Sequence, residues 1–204
     1  MTGRFRSSSE FLRHATRGLT ARIGQFGARR GWQPNAITLL GILPALIAAL
    51  LAATGAFFAA GVVLILGAPL DALDGAVARA KGSETRFGAL LDSTVDRYVD
   101  ALLLGGIGYA FVLRGDLVGV LLSFGALSGA YAVSYVRARA EGLNIGSIKD
   151  GLFDRAARLI VLIGALLTGW LTLGLLILAV GAHLTAFQRL WLAFRATQQD
   201  ADSA

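Results

Sequence analysis

The sequence predicts an all-α integral membrane protein with six transmembrane helices, preceded by an amphipathic juxtamembrane helix. Hydrophobic residues make up 55% of the 204 residues and charged residues 16%, against roughly 45–50% and 25% in ordinary soluble domains. The apolar residues are grouped into runs of about 20 residues, the length that crosses a bilayer. The basic residues lie beside these runs rather than inside them.

The first predicted element is an interfacial amphipathic helix over residues 7–30. Leu12, Leu19, Ile23 and Phe26 follow helical spacing, and arginines occupy the other faces. A basic helix with one apolar face is typical of a segment that lies on the membrane surface. The alternative, a helix packed on a soluble core, is disfavoured because no segment suits such a core.

Six apolar spans follow and are separated by short junctions, which predicts an antiparallel bundle over residues 36–195. The spans are 36–54, 56–79, 88–113, 117–139, 155–172 and 174–195. Each is long enough, or nearly so, to cross a bilayer. We therefore expect a single membrane domain over residues 1–204.

The distribution of basic residues predicts the orientation of the bundle. With the N-terminus in the cytoplasm, every lysine and arginine except Arg114 lies on the cytoplasmic side or at a cytoplasmic helix end. This agrees with the positive-inside rule. We expect a multi-pass protein of the cytoplasmic (inner) membrane, with the N-terminus and active site facing the cytoplasm. The net charge of +6 then fits contact with anionic membrane lipid, and no nucleic acid partner is expected.

The sequence has no cysteine and only two, widely separated histidines. Disulfides, zinc–thiolate sites and cysteine nucleophiles are thereby excluded, and a histidine-based metal site is not indicated.

Five aspartates interrupt the second and third spans. Asp71 and Asp74 share one helix face, and Asp92 and Asp96 share another. At about 1.5 Å of rise per residue, Asp74 and Asp92 lie at similar depths below the connecting loop. Asp71 and Asp96 lie one turn deeper. The spacing therefore predicts four carboxylates that converge between two antiparallel helices.

Converging carboxylates in a medium of low dielectric constant need a cation. An all-oxygen cluster selects a hard ion such as Mg²⁺, Mn²⁺ or Ca²⁺. The alternative is ion pairing with Arg79, Arg86 and Arg97, but five acids exceed three bases. The fifth acid, Asp100, lies one turn beyond the others, and we expect it to form a structural ion pair.

These residues follow the pattern D-x2-D-G-x2-A-R-x8-G-x3-D-x3-D. Its eight fixed positions are Asp71, Asp74, Gly75, Ala78, Arg79, Gly88, Asp92 and Asp96. The pattern resembles the signature of the CDP-alcohol phosphotransferase family at every position. The predicted six-helix layout extends this resemblance over nearly the whole chain.

The resemblance implies an integral-membrane homodimer that uses a divalent metal, Mg²⁺ or Mn²⁺. Such an enzyme displaces CMP from a CDP-linked donor with an alcohol. On this basis Asp71, Asp74 and Asp92 would be metal ligands. Asp96 would be the general base and would also touch the metal.

The resemblance also implies a nucleotide pocket. The segment PNAIT (residues 34–38) resembles a further family element near the nucleotide; alternatively, it is a proline-started helix with a capping asparagine. The residues that would line the pocket are Asn35, Thr38, Asp74, Gly75, Ala78, Arg79 and Gly88.

A group of arginines in the second half of the chain suits a phosphate monoester as the acceptor. These positions are similar to those of phosphatidylinositol phosphate synthases, which join CDP-diacylglycerol to inositol 1-phosphate. The acceptor-phosphate residues would be Arg137, Arg155, Arg158 and Arg189. Asp154 and Ala157 stand where that branch usually has glutamates. The alternative is that the arginines anchor the helices at the membrane surface.

The resemblance thus implies that the products are phosphatidylinositol phosphate and CMP. Phosphatidylglycerophosphate synthase, with glycerol 3-phosphate as acceptor, is the alternative within the family, and the archaeal counterpart would use an ether-lipid donor. Among proteins that are not enzymes, the alternative is a divalent-cation channel or transporter. The asymmetric run with Gly75, Ala78 and Arg79 between the acids fits a nucleotide better than a filter built around a pore axis.

Overall fold

The computed structural model describes residues 8–146, 148, 151 and 153–202, with side chains except at 8–17, 19, 71 and 199–202. This part of the chain is all-helical and contains no strand. The helices are α1 (Ser8–Arg29), α2 (Pro34–Leu40), α3 (Ile42–Ala53), α4 (Phe57–Lys81), α5 (Arg86–Leu113), α6 (Leu117–Gly142), α7 (Arg155–Thr168) and α8 (Leu171–Asp202).

Three helices begin at a side chain that accepts a hydrogen bond from a backbone N–H of the first turn. Thr85 accepts from Gly88, Asp116 from Gly119, and Asp154 from Ala157. Such caps satisfy one of the otherwise unpaired donors at a helix start. They explain where α5, α6 and α7 begin.

The observed helices differ from the predicted spans at three places. The first span is divided into α2 and α3 by Gly41, which keeps helical dihedral angles (φ −60°, ψ −18°). The fifth is shorter than predicted, because α7 has 14 residues and ends before Gly169, whose φ is +78°. Helix α8 extends beyond the predicted end at residue 195.

Four helical segments among the described residues are long and apolar enough to cross a membrane. They are Pro34–Ala53, Phe57–Lys81, Leu117–Gly142 and Leu171–Gln198. Helix α5 does not meet this description because its first half carries Asp92, Asp96, Arg97 and Asp100, and α7 is too short. The prediction of an all-α, multi-pass membrane protein is confirmed at this level.

Helix α3 lies between α4 and α5, and small residues allow the close packing there. Ala48, Ala52 and Ala60 are at most 1% exposed. Gly106 of α5 lies so close to the backbone carbonyl of Ala49 that a side chain there would collide with it. Many large apolar side chains are instead on the outside, as suits helices that contact lipid tails.

Helices α4 and α5 do not pack directly on each other within the described residues; both pack on α2 and α3. The two antiparallel helices that carry the predicted aspartates therefore do not meet directly. The physical reason is that α2 and α3 are inserted between the two helices. Helix α2 thus contacts both α4 and α5.

Helix α1 packs on α4 through two glycines. A Cβ atom at Gly24 would lie 2.6 Å from the carbonyl oxygen of Ala76, and one at Gly27 would lie 2.9 Å from a methyl group of Val77. Phe26, which the periodicity placed on the apolar face, is 51% exposed. Its ring meets the edge of the Trp32 ring, with centroids 6.0 Å apart.

Candidate active site

The best-defined carboxylate of the predicted site is Asp74 of α4. Its side chain is 8% exposed, Oδ2 accepts a 2.6 Å hydrogen bond from the Thr38 hydroxyl of α2, and Oδ1 accepts one from the Gly75 N–H at 2.5 Å. Hydrogen bonds to a carboxylate are short and strong. They fix the orientation of Asp74 and link the sequence-predicted residues Thr38, Asp74 and Gly75.

Two further contacts between residues of the predicted nucleotide pocket extend this corner. A Cβ atom on Gly75 would lie 3.1 Å from Nη1 of Arg79, so the guanidinium group lies over this turn. At the start of α5, a Cβ atom on Gly88 would lie 3.4 Å from Oδ1 of Asn35. Helix α2 thus carries Thr38 toward Asp74 and Asn35 toward Gly88. Ala78 lies half-buried in the last turns of α4.

The proposed base, Asp96, is joined to α7 by an ion pair. Nη2 of Arg155 lies 2.8 Å from Oδ1 of Asp96, and the two side chains are 26% and 15% exposed. Nη2 of Arg97 lies 3.8 Å from Oδ2 of the same carboxylate. An acceptor arginine predicted from the second half of the sequence therefore lies in direct contact with the carboxylate predicted from the first half.

Asp100 forms the ion pairs that its position suggested. Its Oδ2 atom lies 3.5 Å from Nη2 of Arg97 and 3.8 Å from Nη2 of Arg158. The expectation of a structural ion pair is confirmed.

Three of the four predicted acceptor arginines belong to one positively charged group. Arg97, Arg155 and Arg189 each repel the charge on Arg158, while Asp100 attracts it. Arg189 is 5% exposed and donates a 3.0 Å hydrogen bond to the carbonyl oxygen of Val133. The fourth, Arg137, lies in an exposed ion pair, with Nε 3.1 Å from Oε1 of Glu141.

Two of the predicted metal ligands, Asp74 and Asp92, lie on different helices, α4 and α5. The side chain of Asp71 lies outside the described residues. Among the side chains that are described, no group of three acidic or histidine residues lies close enough to hold a metal ion. The buried, hydrogen-bonded Asp74 and the half-buried Asp92 nevertheless supply oxygen donors only, which is the donor chemistry of Mg²⁺ and Mn²⁺. The four-aspartate site stays a prediction.

Sequence reasoning missed the residues that hold the arginine group in place. Phe153 donates its N–H to Oγ1 of Thr185 at 3.1 Å, and its carbonyl oxygen accepts a 3.3 Å hydrogen bond from Nη1 of Arg158. Ser134 accepts a hydrogen bond from Nη1 of Arg97. No motif marks these residues, because their role depends on contacts between distant parts of the chain.

Comparison with known proteins relates this site to lipid-synthesising enzymes. A family model described as CDP-alcohol phosphatidyltransferase matches residues 32–185. The archaetidylinositol phosphate synthase of Pyrococcus horikoshii is 39% identical over 172 residues, covering 84% of this chain and 89% of the relative. The phosphatidylinositol phosphate synthase of Mycobacteroides abscessus is 38% identical over 171 residues, covering 79% and 77%.

Solved structures give the same relationship. The phosphatidylinositol phosphate synthase of Mycobacterium tuberculosis with CDP-DAG bound superposes with a TM-score of 0.78 at 32% identity, covering 86% of this chain and 93% of that one. A second structure of that enzyme, in complex with manganese and citrate, gives a TM-score of 0.78 at 33% identity. The match over residues 32–185 and these relatives show that the chain is an enzyme of the CDP-alcohol phosphatidyltransferase family.

Proposed function

We propose that the protein transfers the phosphatidyl group of CDP-diacylglycerol to inositol 1-phosphate, giving phosphatidylinositol phosphate and CMP. The observation that carries this proposal is the 2.8 Å contact between Arg155 and Asp96. It brings a guanidinium group that can bind phosphate into contact with a carboxylate that can accept a proton. Relatives named for the same reaction support it.

Asp96 is assigned as the general base. The acceptor hydroxyl attacks the phosphorus atom that carries the diacylglycerol, and its proton passes to the carboxylate of Asp96. The bond between this phosphorus and the bridging oxygen breaks, and that oxygen leaves with CMP. The alternative acceptor, glycerol 3-phosphate, would react in the same way.

The arginine group is assigned to the phosphate of the acceptor. Arg155 and Arg158 start α7, and Arg189 approaches from α8. Guanidinium groups bind phosphate oxygens through paired hydrogen bonds. An acceptor phosphate on Arg155 would place the rest of the molecule beside Asp96. Arg137, predicted with this group, would have to leave Glu141 to reach the same phosphate.

The donor is assigned to the corner of α2, α4 and the start of α5. Asn35, Thr38, Gly75, Arg79 and Gly88 would line the nucleotide, with Ala78 and Asp74 beside them. Asp71, Asp74, Asp92 and Asp96 would hold a divalent metal, Mg²⁺ or Mn²⁺. When bound, this ion would neutralise the diphosphate and stabilise the charge that develops on the leaving oxygen.

For the membrane arrangement we propose six spans: α2 with α3 as the first, then α4 to α8. Helix α1 would lie at the interface, and the N-terminus and active site would face the cytoplasm. The cytoplasmic half of the bundle would meet a soluble nucleotide and the acyl chains at once. Two copies are proposed to form a homodimer, as the family resemblance implies.

The test is a screen of acceptor alcohols with purified protein, Mg²⁺ and CDP-diacylglycerol, measuring CMP release. Inositol 1-phosphate and glycerol 3-phosphate are compared with free inositol and serine, and an archaeal ether-linked donor is compared with the ester donor. We expect CMP release only with a phosphorylated acceptor and fastest with inositol 1-phosphate. The Asp96→Asn variant should lose turnover, by about 10²- to 10⁴-fold for loss of a general base, while binding the donor as the wild type does.

Each outcome decides one part of the assignment. Faster CMP release with glycerol 3-phosphate would favour phosphatidylglycerophosphate synthesis instead. Equal rates of CMP release with free inositol and with inositol 1-phosphate would contradict the assignment of the arginines to the acceptor phosphate. Metal flux into liposomes that depends on Asp92, without CMP release from any acceptor, would replace the enzyme with a cation channel or transporter.

A further inference from the structure

Asp100 is the acid that the family signature does not include. It lies one helical turn after Asp96 on the same face of α5, and its side chain is 18% exposed. Its carboxylate is shared by Arg97 of the same helix, at 3.5 Å, and Arg158 of α7, at 3.8 Å. It therefore links the helix of the proposed base to the helix of the acceptor arginines.

Arg158 is held from a second side by the segment before α7. Its Nη1 atom donates to the carbonyl oxygen of Phe153, whose own N–H donates to Thr185 of α8. The Phe153 ring fills the space above Gly181, where a Cβ atom would lie 2.9 Å from the ring. Phe153 is thus anchored on α8, and Asp100 is the acidic group that meets Arg158 from α5.

The charges around this point show why a carboxylate is needed. Arg97, Arg155 and Arg189 all repel the charge on Arg158, whereas Asp100 attracts it. Arg158 is 7% exposed, so water screens these interactions poorly. Without Asp100, a buried guanidinium group would face three like charges.

The surroundings of Asp100 limit where Arg158 could move instead. A cavity lies beside Arg155 and Arg158. Its polar lining residues are Asp100, Arg155 and Arg158. Its other walls are formed by apolar residues of α5 to α8, including Leu103, Ala130 and Leu162. Turning Arg158 into this apolar space would bury a charge without a partner.

We propose that Asp100 is a positioning residue for the acceptor: it holds Arg158 at the start of α7, and so keeps Arg155 beside Asp96. This inference rests on the proposed function for the identity of the acceptor. Asp100 does not touch the substrate. Its negative charge partly offsets the positive charges of Arg97 and Arg158, the two arginines that it contacts.

The experiment compares Asp100→Asn with Asp100→Glu and with a matched control. The control is Asp116→Asn, the same change of carboxylate to amide at the cap of α6. Kinetics with inositol 1-phosphate and CDP-diacylglycerol give KM for each substrate, and calorimetry with inositol 1-phosphate and Mg²⁺ alone gives acceptor affinity without turnover. We expect Asp100→Asn to raise the acceptor KM and Kd about tenfold or more, as for loss of a charged interaction, with the donor KM within twofold.

Asp100→Glu keeps the charge and moves it by one methylene group, so its acceptor KM should lie between those of the wild type and Asp100→Asn. Asp116→Asn should leave both KM values unchanged. An acceptor KM within twofold of wild type in Asp100→Asn overturns the proposal, as does an equal rise of both KM values. If Asp100→Asn does not fold, Asp100→Glu decides: an unchanged acceptor KM and Kd in that variant also overturn it.

The outcome separates this inference from the proposed function. If the wild-type protein releases no CMP with any phosphorylated alcohol, the proposed function fails, and so does the role of Asp100 that rests on it. If the wild type is active and Asp100→Asn behaves as the control does, only the role of Asp100 is wrong.

Discussion

At the scale of single residues, the site depends on carboxylates whose neighbours differ. Asp74 is buried and oriented by neutral donors, the hydroxyl of Thr38 and the N–H of Gly75. Asp96 is instead oriented by the guanidinium groups of Arg155 and Arg97. Two carboxylates in different surroundings can take different roles. The neutral environment suits a ligand whose lone pairs point to a cation, and the cationic one suits a residue beside an anionic acceptor.

Two of the predicted acceptor arginines, Arg155 and Arg137, should respond differently to substitution. Arg155 is 26% exposed and paired with Asp96 of another helix, whereas Arg137 is 44% exposed and paired with Glu141 on its own helix. We expect Arg155→Ala to raise the acceptor KM by about tenfold or more with a smaller effect on the donor KM. Arg137→Ala should change the acceptor KM less, because exposed pairs contribute little.

Steady-state kinetics with each substrate varied in turn measures this difference. Far-UV circular dichroism in detergent checks that both variants are folded. Equal increases of the acceptor KM and the donor KM in Arg155→Ala would show that Arg155 affects both substrates through its charge and does not bind the acceptor specifically. A larger acceptor effect in Arg137→Ala than in Arg155→Ala would place Arg137 at the phosphate.

Spacing within one helix could be read from the sequence, but contacts between helices could not. Asp71 and Asp74, or Asp92 and Asp96, share a face because the helical repeat alone places them there. The contact of Asp96 with Arg155 joins residues 59 positions apart, and it depends on how α5 and α7 are packed. Asp100 shows the same limit: its pairing was expected, but Arg158 as its partner was not specified.

At the scale of helices, α2 and α3 determine the shape of the site. Hydropathy predicted the first span correctly as an apolar segment long enough to cross a membrane. In the structure this segment, Pro34–Ala53, is helical throughout except for the division at Gly41. Its position between α4 and α5 was not predictable, because short connections indicate neighbours in sequence rather than which helix pairs are in contact. The consequence is functional: Asn35 and Thr38 reach the start of α5 and the buried carboxylate of α4 from one short helix.

The packing of α3 on α5 makes a testable distinction between two adjacent glycines. A Cβ atom at Gly106 would collide with the backbone of Ala49, whereas one at Gly105 would have no atom within 4 Å. Gly106→Ala should therefore push α3 from α5 and lower the stability by about 1–3 kcal/mol, the usual cost of overpacking. Gly105→Ala should be neutral or stabilising by about 0.5–1 kcal/mol, because alanine favours the helix.

Thermal unfolding of the purified variants in one detergent measures the difference. Gly105→Ala is the matched control, since the same atom is added one residue away. A melting temperature of Gly106→Ala equal to or above that of Gly105→Ala would contradict the close packing of α3 on α5 at Gly106. Basal activity need not change in either variant for the comparison to hold.

At the scale of the whole molecule, the two ends of the bundle differ in charge. At one end Arg114 stacks over Phe57, with its guanidinium carbon 4.7 Å from the ring centroid, and its Nη2 lies near Gly55. The turns after α3 and after α5 are therefore neighbours, and they hold one basic residue between them. The site aspartates and the arginine group lie in the other half of the bundle, between the start of α5 and its middle. This separation is the basis of the proposed orientation.

Because the chain contains no cysteine, single-cysteine variants can test that orientation directly. Thr54 follows α3 and Ser83 follows α4, and both are exposed. If the site faces the cytoplasm, a membrane-impermeant maleimide should label Thr54→Cys on intact bacterial cells. Ser83→Cys should be labelled only after the membrane is permeabilised, because the turn after α4 would lie on the cytoplasmic side. Labelling of Ser83→Cys but not Thr54→Cys on intact cells would reverse the orientation, and equal labelling of both would contradict a span at α4.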